Sequence, residues 1–493
     1  MTPEMKEVVK ILQDGANSAM TLEQIIQTEI AEWEGSEKRK WMLTGERYYR
    51  NKTDILKRKR TAIDENGMLI EVEHLPNNKL VNGFVRKLVD QKTDYLLSKP
   101  LSIQTDNEEY QQSLSKYFGK KMLKLLKSIG KSSINKGIAW MHVFYDEKGN
   151  LSFKEIPSEE IIPLWKDKAH TELDAIIRKY EVVAYEGINK VVITKIEWWD
   201  TEGVKRYESR NSTLRADVEL GDVGSHFTAS DEKGNVTPMV WEKVPFIAFK
   251  YNDEEQPLVE LIKTLVDHYD RRKSDNANDL EDLPNTLIAV RGFGGSSAGE
   301  IRQNINTYKL VKIDLDDTGV GAGIDAISIP INTEAHEANM ARNRKDIYEF
   351  GRGVDTQSEN FGGDKSGVAL QFLYSDLDLD ANGIETEFQA SLEQLRWFID
   401  SHILNTTGKD FSEETVEFIF NRDIIINESE AIKNVKDSVG TISDETIVAN
   451  HPWVTDTKKE MKRREKEAKQ AEGRFEQYDF PNDNEPKSKD EGE

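Results

Sequence analysis

Residues 361–367, FGGDKSG, have the types and spacing closest to phosphate chemistry in this chain. Lys365 and Ser366 follow a glycine-rich turn and precede a long run that is typical of a helix. A nucleotide hydrolase needs the pattern G-x-x-x-x-G-K-[ST], because its glycines allow the backbone to wrap around the phosphates. Asp364 stands where the second glycine must be, and a carboxylate there would repel the anion. The stretch therefore does not predict a nucleotide hydrolase, although it presents Lys365 beside a helix N-terminus, a favourable place for an anion.

Two other patterns that could support binding chemistry are also incomplete. In GFGGSSAG, Ser297 stands where the third glycine of the dinucleotide-binding fingerprint belongs. Asp376, Asp378 and Asp380 have the two-residue spacing of a calcium loop, but Ala381 replaces the glycine that such a loop requires at its sixth position. We therefore interpret these carboxylates as an acidic helix surface or a kink.

The histidines and cysteines offer no site either. The eight histidines are scattered along the chain without the spacing of a zinc hydrolase motif. The chain has no cysteine, which excludes disulfides, thiolate catalysis and cysteine-ligated zinc or iron–sulfur centres. The sequence predicts no catalytic residues, no metal site and no cofactor.

The composition limits how the chain can meet nucleic acid. Of its 493 residues, 37% are hydrophobic and 32% are charged, and the formal net charge is −23. Affinity for nucleic acid comes mainly from Lys and Arg, so a chain this acidic does not bind DNA over its whole surface and touches it only at local points. We find no signal peptide and no run of about 18 apolar residues that would span a membrane, and we expect a protein made in the cytosol.

The first half of the chain predicts helices followed by a mixed α and β region. Thr21 is a plausible N-cap for an early helix, and a second helix is predicted from Pro76–Asn77 to Pro100. Residues 101–256 contain short apolar strands separated by turns. The large aromatic residues of this region are interpreted as sheet packing, and they are Trp198, Trp199, Tyr207 and Trp241.

Two helices then enclose a small β-rich module. Pro257 suits the first turn of one helix, and a helix rich in small and polar residues returns at 333–353. The run SDLDLDANG could kink the long helix that starts near Gly367.

Near the C-terminus, Ser443 is a natural N-cap, and Trp453 could dock a pair of helices. From Asp456 the charges alternate along the chain, which indicates a solvated helix. The polar, acidic residues 473–493 predict disorder.

The order of these parts resembles the portal proteins of tailed bacteriophages, in the branch found in siphophages of Gram-positive hosts. The N-terminal signature is similar in YYRNKTDIL and LPNNKLVNGFVRKLVDQKTDYLLSKP. The tunnel-loop and long-helix segment is similar in GGDKSGVALQFLYSDLDLDANGIETEFQASLEQL, and the C-terminal crown in GTISDETIVANHPWVTDTKKEMKRREKE. Residues 257–353 match the stem and clip, and the four stretches follow the family's order along almost the whole chain.

The resemblance implies an α+β, mainly helical, multi-domain protein that forms a ring of about twelve subunits around an axial channel. The implied parts are a wing at 1–256, a first stem helix at 257–278, a clip at 279–332, a second stem helix at 333–353, a tunnel loop at 354–366, a long wing helix at 367–404, a crown at 405–472 and a disordered acidic tail at 473–493.

The resemblance also implies a function without catalysis. The ring would sit at one capsid vertex of the virion and would carry DNA during packaging and ejection. Its implied partners are further copies of the chain, the terminase large subunit, a head–tail connector or adaptor, capsid and scaffolding proteins, and double-stranded DNA held transiently and without sequence specificity. No membrane and no cofactor are implied. A structural virion ring or scaffold without a DNA channel is the alternative, and a nuclease or nucleotide hydrolase would need a site that we do not find.

DNA that slides must be held weakly, because each neutralised phosphate adds affinity and would slow translocation. A few polar side chains in the tunnel loop suit this requirement. The candidates for phosphate contact are Gln357, Ser358, Asn360 and Lys365, with Asp355 and Glu359 keeping contact brief.

The two stem helices are expected to pack in a ring with one wet face. Asn339, Asn343 or their neighbours are expected to face the channel. The basic residues of the stem are interpreted as partners in ion pairs between subunits, with DNA contact as the alternative, and they are Arg271, Arg272, Lys273, Arg342, Arg344 and Lys345.

Overall fold

The structure is a computed structural model that describes most of the chain. The described residues are 20–63, 67–72, 76–210, 213–217, 219, 221–230, 235–282, 286–291, 310–313, 323–328, 333–357, 367–422, 428–454 and 457–475. Side chains are described in the same ranges, except at 62–63, 186, 210, 230, 282, 286–328, 367–371, 428–431 and 471–475.

The described elements are numbered here in chain order. Helices α1 to α11 are Leu22–Gly35, Glu37–Tyr49, Phe84–Leu97, Glu108–Ser115, Lys120–Lys136, Leu258–Asp282, Thr333–Phe350, Gly367–Thr407, Glu428–Asp437, Asp444–Ala449 and Thr457–Phe475. Strands β1 to β18 are Thr61–Ile63, Leu69–Glu71, Ser102–Gln104, Ile138–Tyr145, Leu151–Ile156, Ile161–Trp165, Leu173–Glu186, Asn189–Trp199, Val204–Arg210, Thr213–Ala216, Val223–Gly224, Phe227–Ser230, Val236–Met239, Phe246–Lys250, Thr286–Arg291, Leu310–Ile313, Gly323–Ser328 and Glu417–Ile419.

The described residues fall into two compact units. The larger unit contains the described residues up to 357 together with 373–422, and the smaller unit contains 367–372 and the described residues from 428 onward. The larger unit mixes helices with antiparallel sheets, whereas the described part of the smaller unit is mainly helical.

Antiparallel sheets form the middle of the larger unit. One sheet follows the strand order β10-β9-β8-β7-β6 with β11 also on β9, and another follows β14-β4-β5. Trp199, Tyr207 and Trp241 are buried in the sheet region, so the prediction that they pack in a core is confirmed. Helix α1 covers one face of the first sheet through Ile26, and Thr21 caps this helix as predicted.

The small β module between α6 and α7 is a three-stranded sheet in the described residues. Strand β15 lies in the centre, pairs with β16 in parallel and pairs with β17 antiparallel. The strands predicted here are therefore confirmed. The run SAGEIRQNINTY between β15 and β16, which is typical of a short helix, lies outside the described residues.

The long helix α8 runs without a break through SDLDLDANG, so the predicted kink is wrong. In the smaller unit, the Ser443 hydroxyl accepts a hydrogen bond from the backbone of Thr446 and caps α10, as predicted. Trp453 is 71% exposed, so the prediction that it docks a helix pair is wrong. Helix α11 continues to Phe475, beyond the predicted start of the disordered tail, and residues 476–493 lie outside the described part of the chain.

Helix α3 begins at Phe84, and its predicted start at Pro76–Asn77 is wrong. The residues before it are extended because their backbone amides bind side chains of α6. The backbone N–H groups of alternate residues, 78, 80 and 82, donate to side-chain oxygens at every fourth residue of α6. The pairs are Asn78 to Asn278 at 2.7 Å, Leu80 to Ser274 at 3.0 Å and Asn82 to Asp270 at 3.0 Å.

We call the three acceptors Asp270, Ser274 and Asn278 the polar ladder. The ladder can form because the repeat distance of an extended chain nearly equals that of a helix. Two residues of extended chain advance about 6.6 Å, and four residues of helix advance about 6.0 Å. A straight segment can therefore place an amide opposite each successive turn of α6. The three acceptor side chains are almost completely buried, and buried polar groups are stable only when they are hydrogen-bonded.

Asp270 carries the most bonds in the ladder. Its carboxylate accepts from the Thr53 hydroxyl at 2.7 Å and from the Asn82 side-chain amide at 2.8 Å, besides the Asn82 backbone. Burial raises the pKa of Asp270, and the bonds from Asn82 and Thr53 oppose that rise. The carboxylate is thus held by neutral donors, which fixes the entry of the chain into α3.

Among the residues that the structure describes, no helix combines the length and the apolar character needed to cross a membrane.

Ser274→Ala tests the polar ladder. It removes the acceptor of the Leu80 backbone N–H, a hydrogen bond worth about 0.5–1.5 kcal/mol. We expect the peptide containing residues 78–82 to exchange its amide hydrogens faster in hydrogen-exchange mass spectrometry. Ser401→Ala is the matched control, because that hydroxyl bonds only to the Trp397 carbonyl of its own helix. Equal exchange in this peptide for the two variants would contradict the ladder.

Candidate functional site

Helices α6 and α7 pack against each other and against the start of α3. The Phe84 ring lies 4.9 Å from the ring of Tyr269 on α6 and 6.0 Å from that of Tyr348 on α7, edge-on to both. The side-chain amide of Asn343 on α7 donates to the Leu265 carbonyl of α6 at 3.2 Å. These contacts hold the helix pair on α3 within one chain.

The contact made by Asn343 overturns one expectation. This residue is only 6% exposed, so the expectation that it faces a channel is wrong. Its amide serves the packing of α6 on α7, because a buried amide needs a hydrogen-bond partner. Asn339 lies one turn earlier and is exposed, and for this residue the expectation stays a prediction.

The basic residues expected at subunit boundaries fall into two groups. Arg271, Arg272, Arg342 and Lys345 are exposed, and their pairing between subunits stays a prediction. Lys273 is also exposed, but it already makes a contact in its own chain, because its ammonium donates to the side-chain oxygen of Asn82 at 2.9 Å.

Arg344 forms an ion pair with Asp355 in its own chain. Its Nε and Nη2 atoms donate to the two carboxylate oxygens at 2.6 and 2.7 Å. The bidentate bond lowers the pKa of Asp355 and raises the pKa of Arg344. Arg344 is thus paired within its own chain, its pairing across a subunit boundary stays a prediction, and Asp355 fixes the chain after α7.

Three residues of α3, Leu88, Gln91 and Lys92, hold the chain that leaves α7, and we call them the loop seat. The Gln91 side chain bonds both backbone groups of Val354, accepting from its N–H at 2.9 Å and donating to its carbonyl at 3.0 Å. The Lys92 ammonium donates to the Arg352 carbonyl at 3.1 Å. The backbone is thus fixed at two nearby points before residue 355.

Two glycines allow the chain to approach the loop seat closely. A Cβ atom at Gly353 would lie 2.1 Å from Cδ2 of Leu88, and one at Gly351 would lie 2.8 Å from Cδ1 of the same side chain. Arg352 between them has a φ of 47°, in the left-handed region. Glycine at both positions therefore permits a tight turn against a buried leucine.

Lys92 also connects the loop seat to α8. Its ammonium is 2.6 Å from a carboxylate oxygen of Asp380, and both side chains are buried. The Tyr251 hydroxyl lies 3.1 Å from the same carboxylate. Burial lowers the pKa of Lys92, and the charge of Asp380 opposes that lowering. The interpretation of Asp380 as part of an acidic surface is therefore wrong.

The neighbouring carboxylates are used differently. Asp378 accepts from the Tyr95 hydroxyl at 2.8 Å and from Arg422 at 2.7 Å, whereas Asp376 is exposed. All three aspartates lie on one continuous helix, so they do not form a calcium loop. Within the described ranges, no group of three or more His, Cys, Asp or Glu side chains is arranged to hold a metal ion.

Most of the predicted DNA-contact residues lie beyond the loop seat. Gln357 is exposed, and its backbone N–H donates to Asp355 at 3.1 Å. Ser358, Glu359, Asn360 and Lys365 lie outside the described residues, as does Ser366. The described chain resumes at Gly367, the first residue of α8, where the sequence predicted that a helix begins.

The loop seat was missed from sequence, although one signal was present. Leu88, Lys92 and Leu96 follow one another at four-residue spacing, so Lys92 lies on the apolar stripe of α3. A lysine on an apolar stripe requires a buried partner. Its partner Asp380 is almost 300 positions away, and no local pattern identifies it.

Comparisons with known proteins agree with the resemblance. The family model described as "Phage portal protein, SPP1 Gp6-like" matches residues 32–474. A portal protein of Bacillus phage SPP1 is 29% identical over 434 residues, which cover 87% of this chain and 84% of the relative. A portal protein of Clostridium phage phiCD119 is 30% identical over 438 residues, covering 86% of this chain and 92% of the relative.

A solved structure, the neck of a native GTA particle computed with C12 symmetry, contains a chain with 12% identity and a TM-score of 0.37. The match covers 75% of this chain and 90% of that one.

The sequence matches define the class as a structural component of the bacteriophage virion. The chain belongs to the phage portal protein family, SPP1 Gp6-like. The resemblance inferred from the order of its parts is confirmed, including the Gram-positive hosts of the relatives.

Gln91→Leu tests the loop seat. It removes both bonds to Val354 and leaves a backbone donor and acceptor without partners. We expect about fivefold to tenfold faster amide exchange in the peptide covering residues 352–357, because a lost hydrogen bond costs about 1 kcal/mol or more.

Gln111→Leu is the matched control, because the Gln111 amide donates to the backbone of Ile103 at 2.8 Å, away from this segment. If both variants left exchange at 352–357 unchanged, Gln91 would not hold the loop.

Proposed function

We propose that the chain forms a ring of about twelve copies at one capsid vertex, with an axial channel for DNA packaging and ejection. In this assembly α6 and α7 form the stem, residues 279–332 form the clip, and residues 354–366 line the narrowest part of the channel. Residues 1–256 and the long helix at 367–404 form the wing, and residues 405–472 form the crown inside the head. The ring catalyses no reaction of its own.

One observation carries the proposal for the channel loop. Gln91 and Lys92 fix the backbone at Arg352 and Val354, and the ion pair of Arg344 fixes Asp355. The chain after this fixed base presents polar residues, beginning with the exposed Gln357. A rigid base followed by a polar segment can keep its position in a channel while its side chains make brief contacts.

Weak contact suits the electrostatics of the chain. Each copy carries a formal net charge of −23, so a ring of copies repels DNA as a whole. Only a few contacts with phosphates are then available, and DNA can slide, because binding strength grows with the number of neutralised phosphates. The proposed contacts are transient and independent of DNA sequence.

The proposed partners follow from the parts of the ring. The terminase large subunit docks on the clip during packaging, and a head–tail connector or adaptor docks there afterwards. Capsid and scaffolding proteins surround the wing at the vertex. The exposed Arg271, Arg272, Arg342 and Lys345 pair with carboxylates of the neighbouring copies.

Imaging of the purified chain by negative-stain electron microscopy tests the assembly. We expect rings with an axial hole wide enough for duplex DNA. Arg271→Glu combined with Arg272→Glu should shift the ring-to-monomer transition to lower salt, because surface ion pairs are screened by salt. Lys120→Glu with Lys121→Glu, on the exposed start of α5, is the matched control.

Filaments, shells or monomers would contradict the portal ring, and a closed ring without a hole would favour a structural role without a channel. An unchanged salt transition in the Arg271 and Arg272 variant would remove the proposed ion pairs but not the ring.

Lys365→Glu combined with Gln357→Ala tests the loop contacts. We expect reduced DNA packaging and poorer DNA retention in phage particles, because the loop would then repel phosphates. Lys116→Glu, at an exposed lysine of the larger unit without an assigned contact between copies, is the control for a single charge reversal. Normal packaging and retention in the loop variant would remove the assigned contacts.

A further inference from the structure

Helix α11 contains a basic segment in an acidic chain. Between residues 458 and 470 it has seven Lys and Arg against three Glu, whereas the whole chain has a formal net charge of −23. Most of this stretch is exposed in the smaller unit. A run of mixed charge is usually only a solvated surface, so the arrangement around the helix decides whether it can bind a partner.

The charges that alternate along the sequence are sorted around the helix. Lys458, Lys462, Lys466 and Lys469 are spaced by three or four residues and form one row. Lys459 and Arg463 lie in the adjacent row, which Glu467 continues. We call these six residues the basic face, and all of them are exposed.

The opposite side of α11 is the side that packs. Arg464 donates to Asp444 of α10 at 3.2 Å, and Met461, three residues before Arg464, is partly buried. Residues 461, 464 and 468 follow the spacing of a single helix face. Because this face meets α10, the basic face points away from it.

Acidic residues of α11 lie beside the basic face and contact some of its cations. Glu460 lies 3.1 Å from Arg463, and Glu465 lies 3.2 Å from Lys469. Both pairs are largely exposed, and such surface pairs contribute little to stability. A polyanion can therefore compete for these cations at little cost.

We propose that the basic face of α11 binds the phosphate backbone of double-stranded DNA, independently of DNA sequence and separately from the channel loop. From Lys458 to Lys469 the face extends about 16 Å along the helix, and duplex DNA presents one charge per about 1.7 Å. Several cations can thus meet phosphates at once, while the acidic remainder of the chain repels DNA and directs it to this face.

The assignment of DNA as the partner rests on the proposed portal function, because DNA is the polyanion that such a ring meets.

Closed circular duplex DNA is the probe that separates this face from the channel, because it cannot be threaded through a closed ring. Binding of the full-length ring to a closed plasmid is measured across a range of salt. The test variant changes Lys462, Arg463, Lys466 and Lys469 to Gln, which keeps a good helix former at each position. We expect a loss of about tenfold or more at 50 mM salt, and a salt slope smaller by up to about four, near one for each lost phosphate contact.

The matched control replaces four exposed lysines of the larger unit with Gln. They are Lys116, Lys120, Lys121 and Lys124. This variant should bind the plasmid as the parent does. A third variant, Lys462→Arg with Lys466→Arg, keeps the charges and should also keep the affinity. Rings seen by electron microscopy confirm that each variant assembles.

Equal loss of affinity in the α11 variant and the matched control would overturn the proposal, and so would plasmid binding that the α11 substitutions leave unchanged. Either result with normal rings and an axial hole would leave the portal function intact. Absence of rings in the parent chain would instead contradict the portal function, whatever the plasmid result.

The acidic C-terminal segment is a candidate competitor in the plasmid-binding test. Residues 476–493 contain seven Asp and Glu against two Lys, so they could occupy the same cations. One outcome is that the parent binds plasmid no better than the α11 variant, with a difference between their affinities only after residues 476–493 are deleted from both. The basic face would then bind residues 476–493 of its own chain. That result would overturn the assignment to DNA.

Discussion

The buried ion pair between Lys92 and Asp380 is the contact on which the larger unit most depends. It joins α3 to α8, and the same two groups bond the Tyr251 hydroxyl and the Arg352 carbonyl. Four segments that are distant in sequence therefore meet at one pair of charges. Loss of either partner would leave an uncompensated buried charge, which typically costs about 3–5 kcal/mol. The position of the chain after α7 is set by this same pair.

Polar groups inside the larger unit thus specify geometry as much as apolar packing does. Apolar contacts are non-directional, and helices could slide along one another with little change in buried area. Hydrogen bonds from an extended segment to Asp270, Ser274 and Asn278 permit one register only, because each amide must find its acceptor. The ladder positions α6 against the segment before α3, and the loop seat of α3 then holds the chain that leaves α7.

The charged side chains also differ in whether they hold the fold together or lie on an exposed face. Arg344 is held by a carboxylate of its own chain, while the cations of α11 remain on an exposed face. An internal pair such as this one builds the structure and withdraws both side chains from contact with a partner. An acidic surface with a few local basic groups gives weak, sequence-independent contact with a polyanion, which suits a component through which DNA must move.

The sequence by itself determined the class of protein, most of the helices and strands, the caps at Thr21 and Ser443, and the absence of cysteine chemistry. These depend on composition, on periodicity and on the order of segments, which are all local or additive properties. Only the tertiary structure decided the start of α3, the burial of Asp380 and the loop seat around Gln91. Each of these depends on a partner far along the chain. That partner settles whether a polar side chain is solvated or buried. The free energy of burying the side chain changes sign when a matching donor or acceptor is present.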